Sequence, residues 1–160
     1  MSSVATPKQG KRGVDSNISK YRTQQVMTAT PAQLVYMLYD RAINSLKEAV
    51  AAIEQGDIES RWRANNRAIE IINHLWSTLD LKSGGEIASN LDRLFPFMTM
   101  RLVQVDIRNN PATAHEVVAL LEPLRDAWRE LALGSPMGKS PPQAVPTPTA
   151  GATKRTVISA

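Results

Sequence analysis

Apolar residues recur at helical spacing in four successive stretches of the chain, with turn signals between them. In the first stretch Val35, Leu38, Tyr39, Ala42, Ile43, Leu46, Ala49, Val50 and Ile53 fall within one arc of a helix. Thr30-Pro31-Ala32-Gln33 supplies an N-cap, a proline suited to the first helical position and a Gln that closes a capping box, so this helix is expected from Pro31 to about Gln55. Gly56 then suits the left-handed C-terminal position and Asp57 suits the cap of the next helix. The second stretch runs to about Asp80. Its expected core stripe is Ile58, Trp62, Ile69, Ile72, Leu75, Trp76 and Leu79, with Asn65 in the middle as a structural polar residue. Leu81 to Gly85 reads as a loop, and a third helix follows from Glu86 to about Asn109. Asn110-Pro111 breaks the pattern, and Thr113 with Glu116 offers a second capping box. The fourth helix, from near Pro111 to Leu133, has Val117, Leu120, Leu121, Leu124, Ala127, Trp128 and Leu131 as its stripe and is ended by Gly134.

Short connections make successive helices antiparallel, so the expected fold is all-α, an antiparallel up-down four-helix bundle. Pro96 and Pro123 fall inside helices and predict a local kink at each, absorbed by packing. Upstream, Ile18, Tyr21, Val26 and Met27 are the apolar residues of a short extra helix or an extended arm, and the pattern does not choose between them. The expected organisation is a disordered basic tail over residues 1–16, the bundle over 17–133 and a disordered Pro-rich tail over 134–160. That last stretch holds five of the chain's ten prolines among small polar residues and has no periodic apolar face.

The third helix is apolar on two sides. Ile87, Leu91, Leu94, Phe95, Met98, Leu102 and Val105 form the core stripe, while Pro96, Met100, Val103 and Ile107, spaced four, three and four apart, lie on the other side with Phe97 flanking them. A bundle of this size has no second core to bury that band, so something should cover it. The candidates are the chain's own Ile18 to Met27 segment and an incoming helix of another protein. Leu34 and Met37 also fall off the core arc of the first helix and are secondary candidates, methionine being suited to varied partners.

Charge changes one reading. The chain is formally +4, which suggests nucleic acid until its distribution is considered. Residues 1–22 hold five basic side chains against Asp15, and residues 134–160 hold three with no acid, whereas residues 23–133 carry 11 basic and 14 acidic side chains. A mildly acidic folded unit is a poor surface for tracking phosphates, so nucleic-acid binding is not expected. There is no cysteine, which excludes disulfides and thiolate chemistry and suits a reducing compartment. No stretch has the length of apolar sequence that a membrane span needs and no signal peptide is evident, so the cytoplasm is expected.

Catalytic chemistry finds no foothold. His74 and His115 project to polar faces, and Glu70 with His74 has the wrong spacing and the wrong direction for an inward metal-binding pair. No phosphate loop or nucleophile constellation is present. Neither enzyme activity, a metal nor a cofactor is expected.

Tyr21, then Val26-Met27-Thr28-Ala29-Thr30-Pro31, Leu34, Met37-Leu38-Tyr39-Asp40 and Ala68-Ile69-Glu70-Ile71-Ile72 leading to Leu79-Asp80 follow one another in a telling order. Gly84-Gly85-Glu86-Ile87-Ala88, Asn90-Leu91, Arg101-Leu102 and Leu124-Arg125-Asp126-Ala127-Trp128 continue it. In order and spacing these pieces resemble the flagellar secretion chaperones of the FliS type. The resemblance implies a helical bundle that binds the disordered C-terminal segment of flagellin in apolar grooves and keeps it from polymerising in the cytoplasm. A component of the export gate is a further partner it suggests. By the same resemblance Ile18 and Tyr21 belong to an N-terminal segment that occupies a client groove and is displaced. Together with Val26, Leu34, Met37, Pro96, Phe97, Met100, Val103 and Ile107 they make up the expected partner-binding set. Phe95-Pro96 departs from the family pattern, which usually has a Tyr followed by an ordinary helix former. The Pro-rich tail lies beyond the family's usual length. The competing reading is a helical adaptor or regulatory protein that binds another flagellar component.

Overall fold

The computed structural model describes residues 19, 20, 22–24 and 27–134. Four long helices follow one another, α1 (Pro31–Gln55), α2 (Ile58–Ser77), α3 (Gly85–Arg108) and α4 (Pro111–Ala132), and no strand occurs among the described residues. Among the described upstream residues, 19, 20, 22–24, 27 and 28 are helical. The two tails, apart from Gly134, lie outside the described residues, as do Ile18, Tyr21 and Val26.

Local chemistry sets the turns. Gly56 takes φ +70° and Asp57 caps α2 by accepting the Ser60 backbone N–H at 3.0 Å, so two residues reverse the chain. The Asp57 carboxyl is held below its ordinary range, first by the Ser60 hydroxyl and then by that backbone bond. α3 ends on Asn109 in the left-handed region at φ 50°, and Asn110 caps α4 by accepting the Ala112 N–H at 2.9 Å. The expected Thr113/Glu116 capping box is therefore not formed. Thr113 is already the third residue of the helix and is buried, and Glu116 is drawn to Arg101 of α3 instead. α2 also stops a few residues before Asp80, because Asp80 folds the following loop by accepting the Lys82 and Ser83 N–H groups. α3 and α4 both continue through their internal prolines.

In the bundle α1 lies between α2 and α4, and α3 packs less extensively on the far side of the same two helices. α1 and α3 are thus diagonal to one another. Tyr39, Ile43, Leu46, Ile72, Leu75, Phe95, Met98, Leu102, Leu121 and Trp128 are fully buried among them. The aliphatic, Met and Phe side chains among them each contribute roughly 1.5–3 kcal/mol by leaving water. Burial also pushes the Tyr39 phenol above its ordinary range.

The inward face of α2 corrects the expected stripe. Arg61, Ala64, Asn65, Ala68, Ile72 and Leu75 point into the bundle, while Ile58, Trp62 and Trp76 are exposed. The helix is rotated relative to its bulkiest residues because Ala64 and Ala68 let α1 and α2, the most extensively packed pair, approach closely. Near the start of α3, Ile87 is likewise exposed and Leu94 only partly buried, so both sit at the margin of their expected stripe.

Candidate functional site

A row of polar contacts fixes how α3 lies against α2. Asn65 donates to the Leu102 carbonyl at 2.8 Å and to Asp106 Oδ2 at 2.9 Å, and Arg61 donates to Asn109 Oδ1 at 2.6 Å. Arg61 Nε also lies 3.3 Å from Asp106 Oδ1, an ion pair that is not aligned as a hydrogen bond. Farther along, Thr99 donates to Asn73 at 3.3 Å and the Trp76 indole N–H donates to Asp92 at 2.8 Å. These pairs set an antiparallel register in which Trp62 stands level with Ile107, and Ile69 level with Met100.

Outside that seam, apolar residues remain on both helices. On α3, Met100 is 62 % exposed, Val103 44 % and Ile107 69 %, with Phe97 also exposed and Pro96 half-buried. All five belong to the band expected from the sequence. On α2, Ile58, Trp62, Ile69 and Trp76 recur at intervals of four, seven and seven, and Trp62 is 55 % exposed. The helical positions place this column on the flank of α2 that faces α3, beside the flank of α3 carrying Pro96, Val103 and Ile107. By sequence Ile58, Trp62 and Trp76 are expected in the core, so they are candidates that only the structure brings out. The signal that would have found them is the second column, Arg61, Ala64, Asn65, Ala68 and Ile72, which the same helical period allows.

Leu34 is exposed and Met37 half-buried on α1, diagonally across the bundle from α3, so the structure does not bring these two together with the α3 band. Ile18, Tyr21 and Val26 lie outside the described residues. On the other flank of α3, Met100 borders an open cavity of about 470 Å³ between α3 and the start of α4, lined also by Arg101, Gln104, Arg108, Asn110, Ala112, Thr113 and Glu116.

Chemistry beyond binding has little to work with among the described residues. His74 and His115 are exposed, and no group of three acidic, His or Cys side chains is placed to hold a metal ion. No helix of the described residues is long and apolar enough to cross a membrane.

The architecture is that of an all-α bundle which completes its core and still carries an apolar band along the outside of one helix. By its sequence the chain belongs to the FliS family: the profile described as "Flagellar protein FliS" matches residues 14–135. Among curated relatives, the flagellar secretion chaperone FliS of Salmonella typhimurium is 42% identical over 107 residues, 66% of this chain and 79% of that protein. Its counterparts in Vibrio cholerae and Escherichia coli are each 34% identical, the first over 107 residues (67% of this chain, 79% of that protein) and the second over 117 (72% and 86%). The helical bundle is what the resemblance implied.

Proposed function

We propose that this chain is a non-enzymatic, cytoplasmic export chaperone that holds the C-terminal segment of flagellin in an apolar groove and keeps it from polymerising before secretion. The observation that carries the reading is the coexistence of a closed core with the exposed band of Met100, Val103 and Ile107 beside Trp62 and Trp76. A strip of that kind in water favours an amphipathic helix laid along it. The names of the relatives, all flagellar secretion chaperones, support a flagellar client. In this reading the groove is formed by the facing flanks of α2 and α3. The segment bearing Ile18, Tyr21 and Val26 fills a client groove until flagellin displaces it, and Leu34 and Met37 serve a more distant part of the client.

The three tryptophans give a direct test, because Trp62 and Trp76 are exposed whereas Trp128 is fully buried. A peptide of the flagellin C-terminus should shield the first two from collisional quenching by acrylamide. The protected fraction should fall in a Trp62→Phe variant. Tight binding with no change in quenching in either protein would place the client elsewhere on the bundle.

A further inference from the structure

The cavity between α3 and α4 has a chemistry unlike the band it borders. Arg101, Gln104 and Arg108 project from one side of α3, spaced three and four apart, and the first turn of α4 closes the opposite wall with Asn110, Ala112 and Thr113. Arg101 is spent on Glu116: its Nε donates to Oε2 at 2.9 Å and its Nη2 to the same oxygen at 2.5 Å. That leaves Glu116 neutralised and the cavity's charge resting on Arg108, which makes no hydrogen bond or ion pair among the described residues. Thr113, only 7% exposed, also has a side chain without a hydrogen-bond partner among them, as does half-buried Gln104. The start of a 22-residue helix adds the positive end of its dipole, although Pro111 has no N–H and the Ala112 N–H is taken by Asn110. Donors and positive charge therefore converge on a cavity whose single acid is already paired.

We infer that this cavity is an acceptor site for a carboxylate side chain, Asp or Glu, carried on the flank of the helix that docks on the α3 band. The inference rests on the proposed client reading and deepens it by naming a charged anchor. Met100 ties the two surfaces together, since it belongs to the exposed apolar band and also lines the cavity. A helix seated over Met100 has its flanking positions about one turn away, within reach of Arg108 for a side chain as long as Glu. A charge-assisted bond from a guanidinium supplies direction, which the apolar band lacks, and so fixes how the incoming helix is rotated and where along α3 it stops.

The test titrates full-length protein, wild type and Arg108→Gln, with the flagellin C-terminal peptide amidated at its own end. A second peptide has every Asp and Glu replaced by Asn and Gln. The inference expects Arg108→Gln to weaken the acidic peptide about tenfold at low salt, the loss shrinking as salt is raised, and to leave the uncharged peptide's affinity unchanged. Arg108→Glu should weaken the acidic peptide further, with circular dichroism unchanged in both variants. Equal binding of the acidic peptide by wild type and Arg108→Gln overturns the inference while leaving the client reading intact. So does an equal loss for both peptides. A difference seen only when the peptide terminus is a free acid overturns the side-chain source. Failure of the wild type to bind either peptide overturns the client reading, and the anchor with it.

Discussion

The side-chain amide of Asn65 in α2 donates to the backbone carbonyl of Leu102 in α3 across 2.8 Å, at a depth where neither residue touches solvent. Its second contact, to Asp106, joins it to Arg61 and Asn109, so one buried amide begins a polar chain that leads out to the α3–α4 turn. Apolar helices can slide by a turn at modest cost, whereas these polar contacts form in one register only. Asn65→Ala is expected to lower stability by about 1–3 kcal/mol, read as a shift in the urea midpoint. Arg61→Ala, which removes the cation paired with Asp106 and leaves it only the Asn65 amide, should cost about 2 kcal/mol or more. Arg67→Ala breaks only the exposed pair with Glu48 and should cost below about 1 kcal/mol. A larger loss for Arg67 than for Arg61 would contradict the account.

Adjacent positions on α3 separate folding from binding. Leu102 is fully buried and Val103 half-exposed, so Leu102→Asp places an unpaired charge in the core and should unfold the bundle. Val103→Asp and Ile107→Asp should leave helix content intact and shift stability by less than about 1 kcal/mol. Both should abolish binding of the flagellin peptide, because covering that charge with an apolar helix costs several kcal/mol. Circular dichroism and calorimetric titration on the three variants decide it. Normal binding by Ile107→Asp would move the groove away from α3, with Leu34 and Met37 on α1 as the next place to look.

Gly84 is held by space rather than by torsion. A Cβ there would lie 2.4 Å from Ala88 Cβ and 2.5 Å from the Asp80 carbonyl, while its neighbour Gly85 sits at φ +58° with room around it. Gly84→Ala therefore forces the loop off α3 and should cost about 1–3 kcal/mol in thermal or urea unfolding. Gly85→Ala is disfavoured for a different reason, its positive φ, and should cost about 1 kcal/mol. Gly85→Asn should recover part of that second loss and Gly84→Asn none of the first.

Acid should loosen the Asp57 cap and the Asp80 turn. The Asp57 and Asp80 carboxyls are both held below their ordinary range, chiefly by the Ser60 and Ser83 hydroxyls and then by backbone N–H groups of the same turns. The unfolded chain thus binds these protons more readily than the native one. Their contribution is complete above the unfolded value near 3.8 and is lost as pH falls through the lower native value. Melting temperature should fall below about pH 4, and Asp57→Asn, which keeps a capping oxygen without the charge, should flatten that dependence. An unchanged slope in the variant would mean that the cap charge plays no part.

Element boundaries were legible because their signals are local. Thr30-Pro31, Gly56-Asp57 and Asn110-Pro111 each combine a cap with a chain reversal, and the first and last helices begin at the prolines that mark them. The double face of α3 was legible for a related reason, since two sets of large apolar residues on opposite sides of one helix cannot share one core. The orientation of α2 was not. Trp62 and Trp76 outweigh Ala64 and Ala68 in any reading by size, yet the close approach of α1 selects the alanines, and that approach is a property of the packed pair. The cavity beside Arg108 was invisible for the same reason. Its walls come from two helices, and only their assembly shows that Arg101 is neutralised while Arg108 is left over.

On α3, the residues that hold the bundle together and the residues that meet the outside alternate without overlap: Met98, Leu102 and Val105 inward, Met100, Val103 and Ile107 outward. Selection can therefore act on the outer set without charging the inner one. A lineage whose client drifts can redraw Met100, Val103 and Ile107 at little cost to the fold, because the three contribute little to its stability. The reverse also follows. A chain could keep every inward residue, fold normally and lose its client altogether, so retention of the fold alone says little about which partner a member of the family still serves.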